Sequence, residues 1–295
     1  MSDGGEGFVD ALGGVPRTTT VTGPLGTRVV AQWALREDGT AVLESAEAVG
    51  RRLVPHPTGE DPVAASSEGV GELLAAALEA GASSIVLGCG GTASTDGGLG
   101  CLEALAALGA RVTVPLVVAC DVDATFVDAA RQFGPQKGAT RAQVVRLEAR
   151  LVALAARYAE RYGVDVTAVP GAGAAGGLAG ALVALGGAAV SGARLVADEL
   201  GLAERTARAD AVVTGEGRLD ATTLAGKVVT VVLDDAGATP ALVVAGRAEP
   251  RAAAGVRARA GGDVQVMELD EGVQRHEGTP RAITQAVGAW LDALR

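Results

Sequence analysis

The hydrophobic pattern changes period along the chain, and the first part favours strands. Arg17–Ser45 holds three runs rich in β-branched residues, separated by the turn sequences GPLG and REDG, and predicts a small antiparallel meander. Further on, the pattern predicts alternating helices and buried strands. These are a helix at Gly71–Ala80, a strand at Ser84–Leu87, a helix at Leu99–Leu108 and a strand at Pro115–Cys120.

The clearest helical pattern covers Arg141–Tyr162. Its apolar residues are spaced three and four positions apart, as one helix face requires, at Val144, Leu147, Leu151, Leu154 and Tyr158. Thr140 and Gln143 have the spacing of a capping box, and Gly163 stands at the stop position. We interpret this stripe as part of a hydrophobic core.

The C-terminal third repeats a strand and helix pattern. Because parallel strands need helical crossovers, this pattern predicts a doubly wound parallel sheet. Such a sheet must be covered on both faces, so we expect further strands to come from upstream. The predicted strands are Ala211–Thr214, Ala241–Val244 and Val264–Glu268, and the predicted helices are Lys227–Ala236, Arg251–Arg259 and Pro280–Leu294.

Composition narrows the function classes. With 295 residues, the chain predicts two α/β domains, and aromatic residues at 2% predict a core of small aliphatic side chains. A net charge of −10 argues against nonspecific binding to nucleic acid or anionic membrane, but not against a small anion. The uncharged stretch Val166–Ala193 is too rich in glycine to predict a membrane span. Three cysteines without CxxC spacing and no visible signal peptide favour buried thiols and a cytoplasmic protein.

Two polar loops contain candidate catalytic residues. In GCGGTASTDGGLG (Gly88–Gly100), free backbone amides and hydroxyl groups precede a helix, an arrangement that suits a phosphate or carboxylate. Asp96 in this loop is either a helix cap or a catalytic residue. In GPQKGAT (Gly134–Thr140), Lys137 either pairs with a phosphate or is a solvated lysine.

Two further glycine-rich segments lie downstream. PGAGAAGGLAG (Pro170–Gly180) contains a GxGxxG pattern, which either binds a ligand or allows close helix packing, and a dinucleotide-dependent dehydrogenase is the weakest hypothesis that it supports. In DAVVTGEGRLDATTLAGK (Asp210–Lys227), Glu216 or Asp220 suits a metal–nucleotide complex, while Arg218 and Lys227 suit phosphate. Because the chain has no GxxxxGK[ST] sequence, a kinase here is not a P-loop enzyme.

Taken in order, six segments resemble the bacterial glycerate kinase family, whose members phosphorylate D-glycerate with ATP. The resemblance extends over nearly the whole chain, in SDGGEGFVDAL, residues 88–110, ACDVD, FGPQKGAT, PGAGAAGGLAGAL and ADAVVTGEGRLDATTLAGK. It implies a flavodoxin-like doubly wound domain, here N-terminally truncated, formed by residues 1–12 and 196–295. An inserted second α/β domain that resembles the restriction-endonuclease fold is implied for residues 13–195.

The resemblance also implies the ligands and the site. ATP, Mg²⁺ and glycerate are expected in one cleft, where Asp96 or Asp121 removes the proton of the accepting hydroxyl group. Glu216 and Asp220 are the expected metal ligands. Expected glycerate ligands are Asp3, Gly4, Gly5, Glu6, Gly90, Gly91, Thr92, Lys137 and Arg218, and expected nucleotide ligands are Gly171, Gly173, Gly215, Glu216, Gly217 and Lys227.

The chain departs from the family pattern at two places. Family members similar to it carry a further N-terminal βα portion before the DGGEG loop, which explains why this loop has no strand in front of it. After Asp123 the chain has Ala124-Thr125-Phe126 in place of Asn-Pro and a further glycine. A degenerate relative without turnover is therefore the alternative hypothesis. Uncovered sheet faces predict self-association into a homo-oligomer.

Overall fold

The computed structural model describes residues 4–225, 227–259, 261–269 and 279–294. The chain folds into two compact units, Met1–Gly192 and Ala193–Arg295. Both units are mixed α/β structures in which most strand pairs are parallel. Within the described residues, no helix has the length and apolarity that a membrane span requires.

The first unit is built on a six-stranded sheet with the strands in chain order. The first three strands are antiparallel, as the meander predicted, and the remaining pairs are parallel. The strands are β1 Val15–Thr22, β2 Arg28–Leu35, β3 Thr40–Glu44, β4 Ser84–Gly88, β5 Leu116–Ala119 and β6 Ala188–Val190. The helices are α1 Phe8–Leu12, α2 Ser45–Val49, α3 Asp61–Ala64, α4 Glu68–Glu79, α5 Leu99–Ala107, α6 Ala129–Phe133, α7 Arg141–Tyr162 and α8 Leu178–Ala184.

Helix α7 confirms its predicted bounds and caps. The Gln143 N–H donates to the Thr140 hydroxyl, the Thr140 N–H donates to Gln143 Oε1 at 2.9 Å, and Gly163 adopts the left-handed conformation. Four of the five stripe residues are buried, and they pack around Phe126 in a core beside the sheet. The three cysteines are buried thiols, as predicted.

The second unit holds three parallel strands in the order β7, β8, β9. Helices α11 and α12 pack on the face that carries Val243, and α13 packs on the face that carries Val244. The strands are β7 Val212–Leu219, β8 Ala241–Ala248 and β9 Val264–Glu268. The helices are α9 Gly192–Glu199, α10 Leu202–Thr206, α11 Val228–Ala236, α12 Pro250–Arg259 and α13 Thr279–Ala293.

Strand β7 corrects one prediction. The sequence predicted a strand that ends at Thr214 and a ligand-binding loop at Gly215–Gly217, but pairing with β8 continues through Leu219. A Cβ atom on Gly215 would lie 2.2 Å from the Val244 carbonyl oxygen, so close backbone approach requires glycine here. Strand glycines were mistaken for a loop because glycine is depleted in ordinary strands.

The N-terminal segment lies in the first unit. Phe8 is fully buried, and its backbone N–H donates to Glu44 Oε2 at 3.0 Å. The unit boundary after Gly192 lies near the predicted domain boundary. The grouping of residues 1–12 with the C-terminal domain stays a prediction.

Candidate functional site

The loops of the first unit meet at the carboxyl ends of β4 and β5. A Cβ atom on Gly4 would lie 2.6 Å from the Ala119 carbonyl oxygen, and one on Gly88 would lie 2.6 Å from the Gly4 carbonyl oxygen. A Cβ atom on Gly90 would lie 2.8 Å from Gly5 Cα. The glycines of the N-terminal loop and of the loop that follows β4 therefore allow the two backbones to pack directly against each other. The structure brings Gly4, Gly5 and Gly90 together, whereas Asp3 lies outside the described residues.

Glu44 lies beneath this N-terminal loop, at the end of β3. Its side chain is 3% exposed, and it accepts the N–H of Phe8 at the start of α1. Burial raises the pKa of Glu44 to about 7, although backbone donors partly oppose the shift. Glu44 was not predicted as a special residue, because nothing near it in the chain indicates that α1 covers it.

Glu44 makes the stability of the first unit depend on pH. Its folded-state pKa of about 7 exceeds the ordinary value of 4.5, so the folded chain binds the extra proton between these pH values. The free energy of unfolding should therefore decrease as the pH rises from 4.5 to 7, by on the order of 3 kcal/mol. Glu44→Gln should remove this decrease, because the amide does not ionise.

Urea denaturation followed by tryptophan fluorescence tests this dependence. In a Trp290→Phe background, the fluorescence comes from Trp33, which is buried in the first unit. Glu79→Gln, at an exposed site on α4, is the matched control and should keep the wild-type slope. An unchanged slope in Glu44→Gln would contradict the role assigned to Glu44.

Asp96 is buried in the loop between β4 and α5, and both of its oxygens accept hydrogen bonds. Oδ2 accepts from the Ser67 N–H at 2.7 Å, the Ser67 hydroxyl at 2.8 Å and the Gly100 N–H at 3.2 Å. Oδ1 accepts from the Gly98 N–H at 3.1 Å. Four donors on one carboxylate favour a structural cap over a general base, which needs a lone pair free for the substrate.

Lys137 is held in the turn Pro135–Lys137 that precedes α7, and it is 8% exposed. Its Nζ donates to the Ser94 carbonyl oxygen at 2.5 Å and to the Thr92 hydroxyl at 3.3 Å. Desolvation lowers the pKa of Lys137 to about 7, and the charge of Arg51 lowers it further, while Asp96 opposes the shift. The amine is therefore poised to gain or lose a proton near neutral pH.

A cavity of 580 Å³ in the first unit has Lys137 in its wall. Arg51 and Arg52 line the same cavity, together with the acidic residues Glu6 and Asp61. Gly91 contributes backbone to the wall, and the Arg51 N–H donates to its carbonyl oxygen at 2.8 Å. Neither arginine was predicted as a site residue, because both lie in no recognisable motif. This cavity can bind a small anion.

Asp121 follows β5 and is half-buried. Its Oδ1 accepts the Ser191 hydroxyl at 2.8 Å, beyond the end of β6. Gly171 lies beside it, because the Cys120 thiol approaches the Gly171 carbonyl oxygen at 3.9 Å. A Cβ atom on Gly173 would lie 2.3 Å from the Thr125 carbonyl oxygen, so this glycine allows close packing. Asp121, Gly171 and Gly173 all belong to the first unit.

The remaining candidates form a polar cluster in the second unit. The Thr223 hydroxyl donates to Glu216 Oε1, and Lys227 Nζ donates to the Thr222 hydroxyl at 2.7 Å. The Thr222 N–H donates to Asp220 Oδ1 at 2.9 Å. Arg218 forms ion pairs with Asp220 at 3.3 Å and with Glu249 at 2.7 Å, which leaves less of its charge for a ligand.

A cavity of 630 Å³ in the second unit is lined by the backbone of β7 and by apolar side chains. Its wall includes Gly215, Glu216 and Gly217, together with Val244, Leu269 and Ile283. Desolvation raises the pKa of Glu216, and the Thr223 hydroxyl and Lys227 oppose that shift. An apolar wall with one carboxylate suits a flat ring that carries polar edge groups.

Mg²⁺ has a limited set of protein ligands available here. Among residues 4–225, 227–259, 261–269 and 279–294, no three His, Cys, Asp or Glu side chains form a metal-binding cluster. Glu216 and Asp220 interact electrostatically, since Asp220 contributes to the raised pKa of Glu216. Mg²⁺ bound mainly through phosphates needs only one or two carboxylates, so this pair fits such an ion.

Comparison with known proteins gives consistent matches. The model of the glycerate kinase family matches residues 1–113 and 106–290. An uncharacterized protein of Mycobacterium tuberculosis (strain CDC 1551 / Oshkosh) is 45% identical, over 84% of this chain and 68% of the relative. Glycerate 2-kinase of Escherichia coli K12 is 41% identical, over 77% and 69% of the two chains. A crystal structure described as glycerate kinase 2, from Salmonella typhimurium LT2, is 33% identical with a TM-score of 0.72, covering 99% of this chain and 88% of the other.

Proposed function

The chain belongs to the glycerate kinase family, and on that premise we propose that it transfers the γ-phosphoryl group of ATP to a hydroxyl group of D-glycerate. The basic cavity of the first unit is the observation that supports a glycerate site. Lys137 offers a cationic donor to a carboxylate, and Glu6 and Asp61 offer acceptors to hydroxyl groups.

We assign the nucleotide to the second unit. Its cavity combines an apolar wall for the adenine ring with the backbone of Gly215 and Gly217. We assign Lys227, in the polar cluster of the same unit, to phosphate. Glu216 and Asp220 are the residues that would hold Mg²⁺. When bound, this ion neutralises charge on the phosphate oxygens. The roles predicted for Gly171 and Gly173 in nucleotide binding stay predictions.

The reaction needs a group that accepts a proton. The hydroxyl oxygen of glycerate attacks the γ-phosphorus, the bond from phosphorus to the bridging oxygen of ADP breaks, and the hydroxyl proton moves to a base. We assign Asp121 as this base, because the Asp96 carboxylate already accepts four hydrogen bonds from the protein, three of them at Oδ2. Lys137 binds the substrate anion and offsets negative charge during transfer.

We also propose that the two units correspond to the two domains implied by the family. The second unit, a parallel sheet with helices on both faces, supports a flavodoxin-like doubly wound domain. The first unit, apart from residues 1–12, would then be the inserted α/β domain that resembles the restriction-endonuclease fold.

An ADP-release assay with D-glycerate and Mg–ATP tests the proposed activity. We expect ADP release that depends on glycerate and exceeds the rate with water as the only acceptor. Because the E. coli relative is a glycerate 2-kinase, we expect ³¹P NMR to identify 2-phosphoglycerate as the product. No ADP release above the rate with water would favour the degenerate relative without turnover.

Asp121→Asn separates the two candidate bases. We expect kcat to fall about a hundredfold or more, with little change in KM, because the amide cannot accept the proton. Asp123→Asn, two residues along and exposed, is the matched control and should keep kcat within about threefold, the range of a surface change. A near-normal kcat in Asp121→Asn would exclude Asp121 as the base.

A further inference from the structure

Arg51 and Arg52 are consecutive arginines in one short turn, Arg51–Leu53, yet their surroundings differ. Both line the 580 Å³ cavity of the first unit. Arg52 donates to Glu47 Oε1 and forms an ion pair with that carboxylate. Within the described part of the chain, Arg51 forms no ion pair, and its Nη1 donates to the neutral amide oxygen of Gln136 at 3.4 Å.

The backbone around Arg51 is tied to the glycine-rich loop. The Arg51 N–H donates to the Gly91 carbonyl oxygen, and Gly50 forms a β-bridge with Thr92. Gln136, the partner of the guanidinium, precedes Lys137 in the chain. The guanidinium is close enough to lower the pKa of Lys137 by its charge. Arg51 and Lys137 are therefore two cations held on one cavity wall by contacts that are distant in sequence.

Arg51 and Lys137 are two like charges held close together, and Arg51 has no counterion among the described residues. Such a pair favours the binding of an anion between the two groups. The charge balance limits which anion fits. Arg52 is compensated by Glu47, and Glu6 and Asp61 add negative charge to the wall. Arg51 and Lys137 then carry two positive charges against two negative ones, so the wall has no net positive charge to offset a polyphosphate chain, and a single carboxylate bound locally by these two cations fits better. A guanidinium also matches a carboxylate with two parallel N–H donors, whereas a lysine offers a point charge.

We propose that Arg51 is a specificity-determining residue of the first unit, and that its guanidinium binds the carboxylate of a small 2-hydroxy acid opposite Lys137. The identification of that acid as D-glycerate rests on the proposed function. The anion site itself does not, because its geometry lies wholly within the first unit.

Kinetics of Arg51→Gln test the assignment. We expect KM for D-glycerate to rise about 10- to 100-fold, the usual cost of losing a charged hydrogen-bond donor, while kcat and KM for ATP stay within about threefold. Arg51→Lys should give an intermediate KM, because lysine keeps the positive charge but lacks the two parallel N–H donors of the guanidinium. Arg52→Gln is the matched control and should leave KM for glycerate within about threefold.

The pH profile gives a second readout that a purely structural role would not move. Asp96 and Arg51 are the charged groups that act on the pKa of Lys137, and Arg52, Glu6 and Asp61 are the other charged groups of the cavity wall. Removing the positive charge of Arg51 raises the pKa of Lys137, because the protonated amine is no longer disfavoured by its neighbour. In a plot of kcat/KM against pH, the change that reflects ionisation of Lys137 should therefore move to higher pH in Arg51→Gln. In Arg52→Gln it should stay at the wild-type pH.

Calorimetric titration without ATP separates this inference from the proposed activity. Wild-type protein should bind D-glycerate, Arg51→Gln should bind it at least about tenfold more weakly, and glycerol, which has no carboxylate, should not distinguish the two. Binding that depends on Arg51 without any ADP release would refute the kinase and support the anion site. An unchanged KM and affinity in Arg51→Gln, or a rise in KM for ATP instead, would overturn the assignment of Arg51.

Discussion

Lys137→Met should lower kcat for glycerate phosphorylation by about 10²–10³-fold, the cost of removing one donor that stabilises charge in the transition state. The replacement has a similar length and no charge, so it fills the same buried space. Lys137→Arg should not restore activity, because a planar guanidinium does not fit a site shaped for contacts with the Ser94 carbonyl oxygen and the Thr92 hydroxyl.

The same variant should change how stability depends on pH. The folded-state pKa of Lys137, about 7, lies below the ordinary value of 10.5, so the folded chain binds fewer protons than the unfolded chain between these values. The wild-type free energy of unfolding should therefore rise with pH from 7 upward, and below pH 7 the full cost of burying the charge remains. Lys137→Met should lack this rise and should melt at pH 6 no lower than wild type.

Activity and urea denaturation at pH 6, 7.5 and 9 check both expectations. A variant that is inactive and also much less stable at pH 6 would show that Lys137 is needed for folding. Near-normal turnover in a stable variant would remove Lys137 from the reaction. The opposite slope expected from Glu44 lies below pH 7, so the two effects are separated on the pH axis.

Asp96→Asn should destabilise the first unit by about 3 kcal/mol, because a buried charged acceptor for four donors becomes a neutral amide. The NH₂ group of the asparagine must replace either Oδ1 or Oδ2, and the N–H or O–H groups that donate to that oxygen would then lose their acceptor. Asp165→Asn is the matched control, since Asp165 also accepts the N–H two residues along, that of Thr167, but on the surface. We expect its cost to be below about 1 kcal/mol.

The Trp290→Phe background again makes Trp33 report the first unit. If Asp96 caps the loop, the activity of Asp96→Asn should follow the folded fraction, and kcat per folded molecule should change less than tenfold, compared with the hundredfold typical of a lost base. Unchanged stability together with a loss of turnover beyond a hundredfold would make Asp96 the base and contradict the assignment of Asp121.

How well the sequence predicted an element depended on the range of the contacts that define it. Helix α7 was predicted to the residue because its capping box, stop glycine and apolar stripe are all local features. Strand β7 was predicted too short because the reason for its glycines is the approach of β8, about thirty positions further along the chain. Strand β6 was missed because its three residues lie in a segment rich in glycine and alanine.

The residues of the candidate site were likewise predictable only where the features that define them are local in the sequence. Its loops were found because glycines and polar residues after strands are visible in the sequence, and Lys137 and Thr92, predicted separately, share a hydrogen bond. The sequence left two roles possible for Asp96, a helix cap and a catalytic base, because its Ser67 donors lie 29 positions away. Arg51 and Glu44 carried no signal at all.

By itself, the sequence determined the α/β class, the family, the acidic net charge and the loops in which polar chemistry is concentrated, because each depends on residue types and spacing along the chain. Only the tertiary structure decided which of those polar groups are saturated, which are desolvated and which retain an unpaired charge. These properties depend on neighbours brought close by folding, and the lowered pKa of Lys137 beside Arg51, a residue far away in the sequence, exists only once the chain has packed.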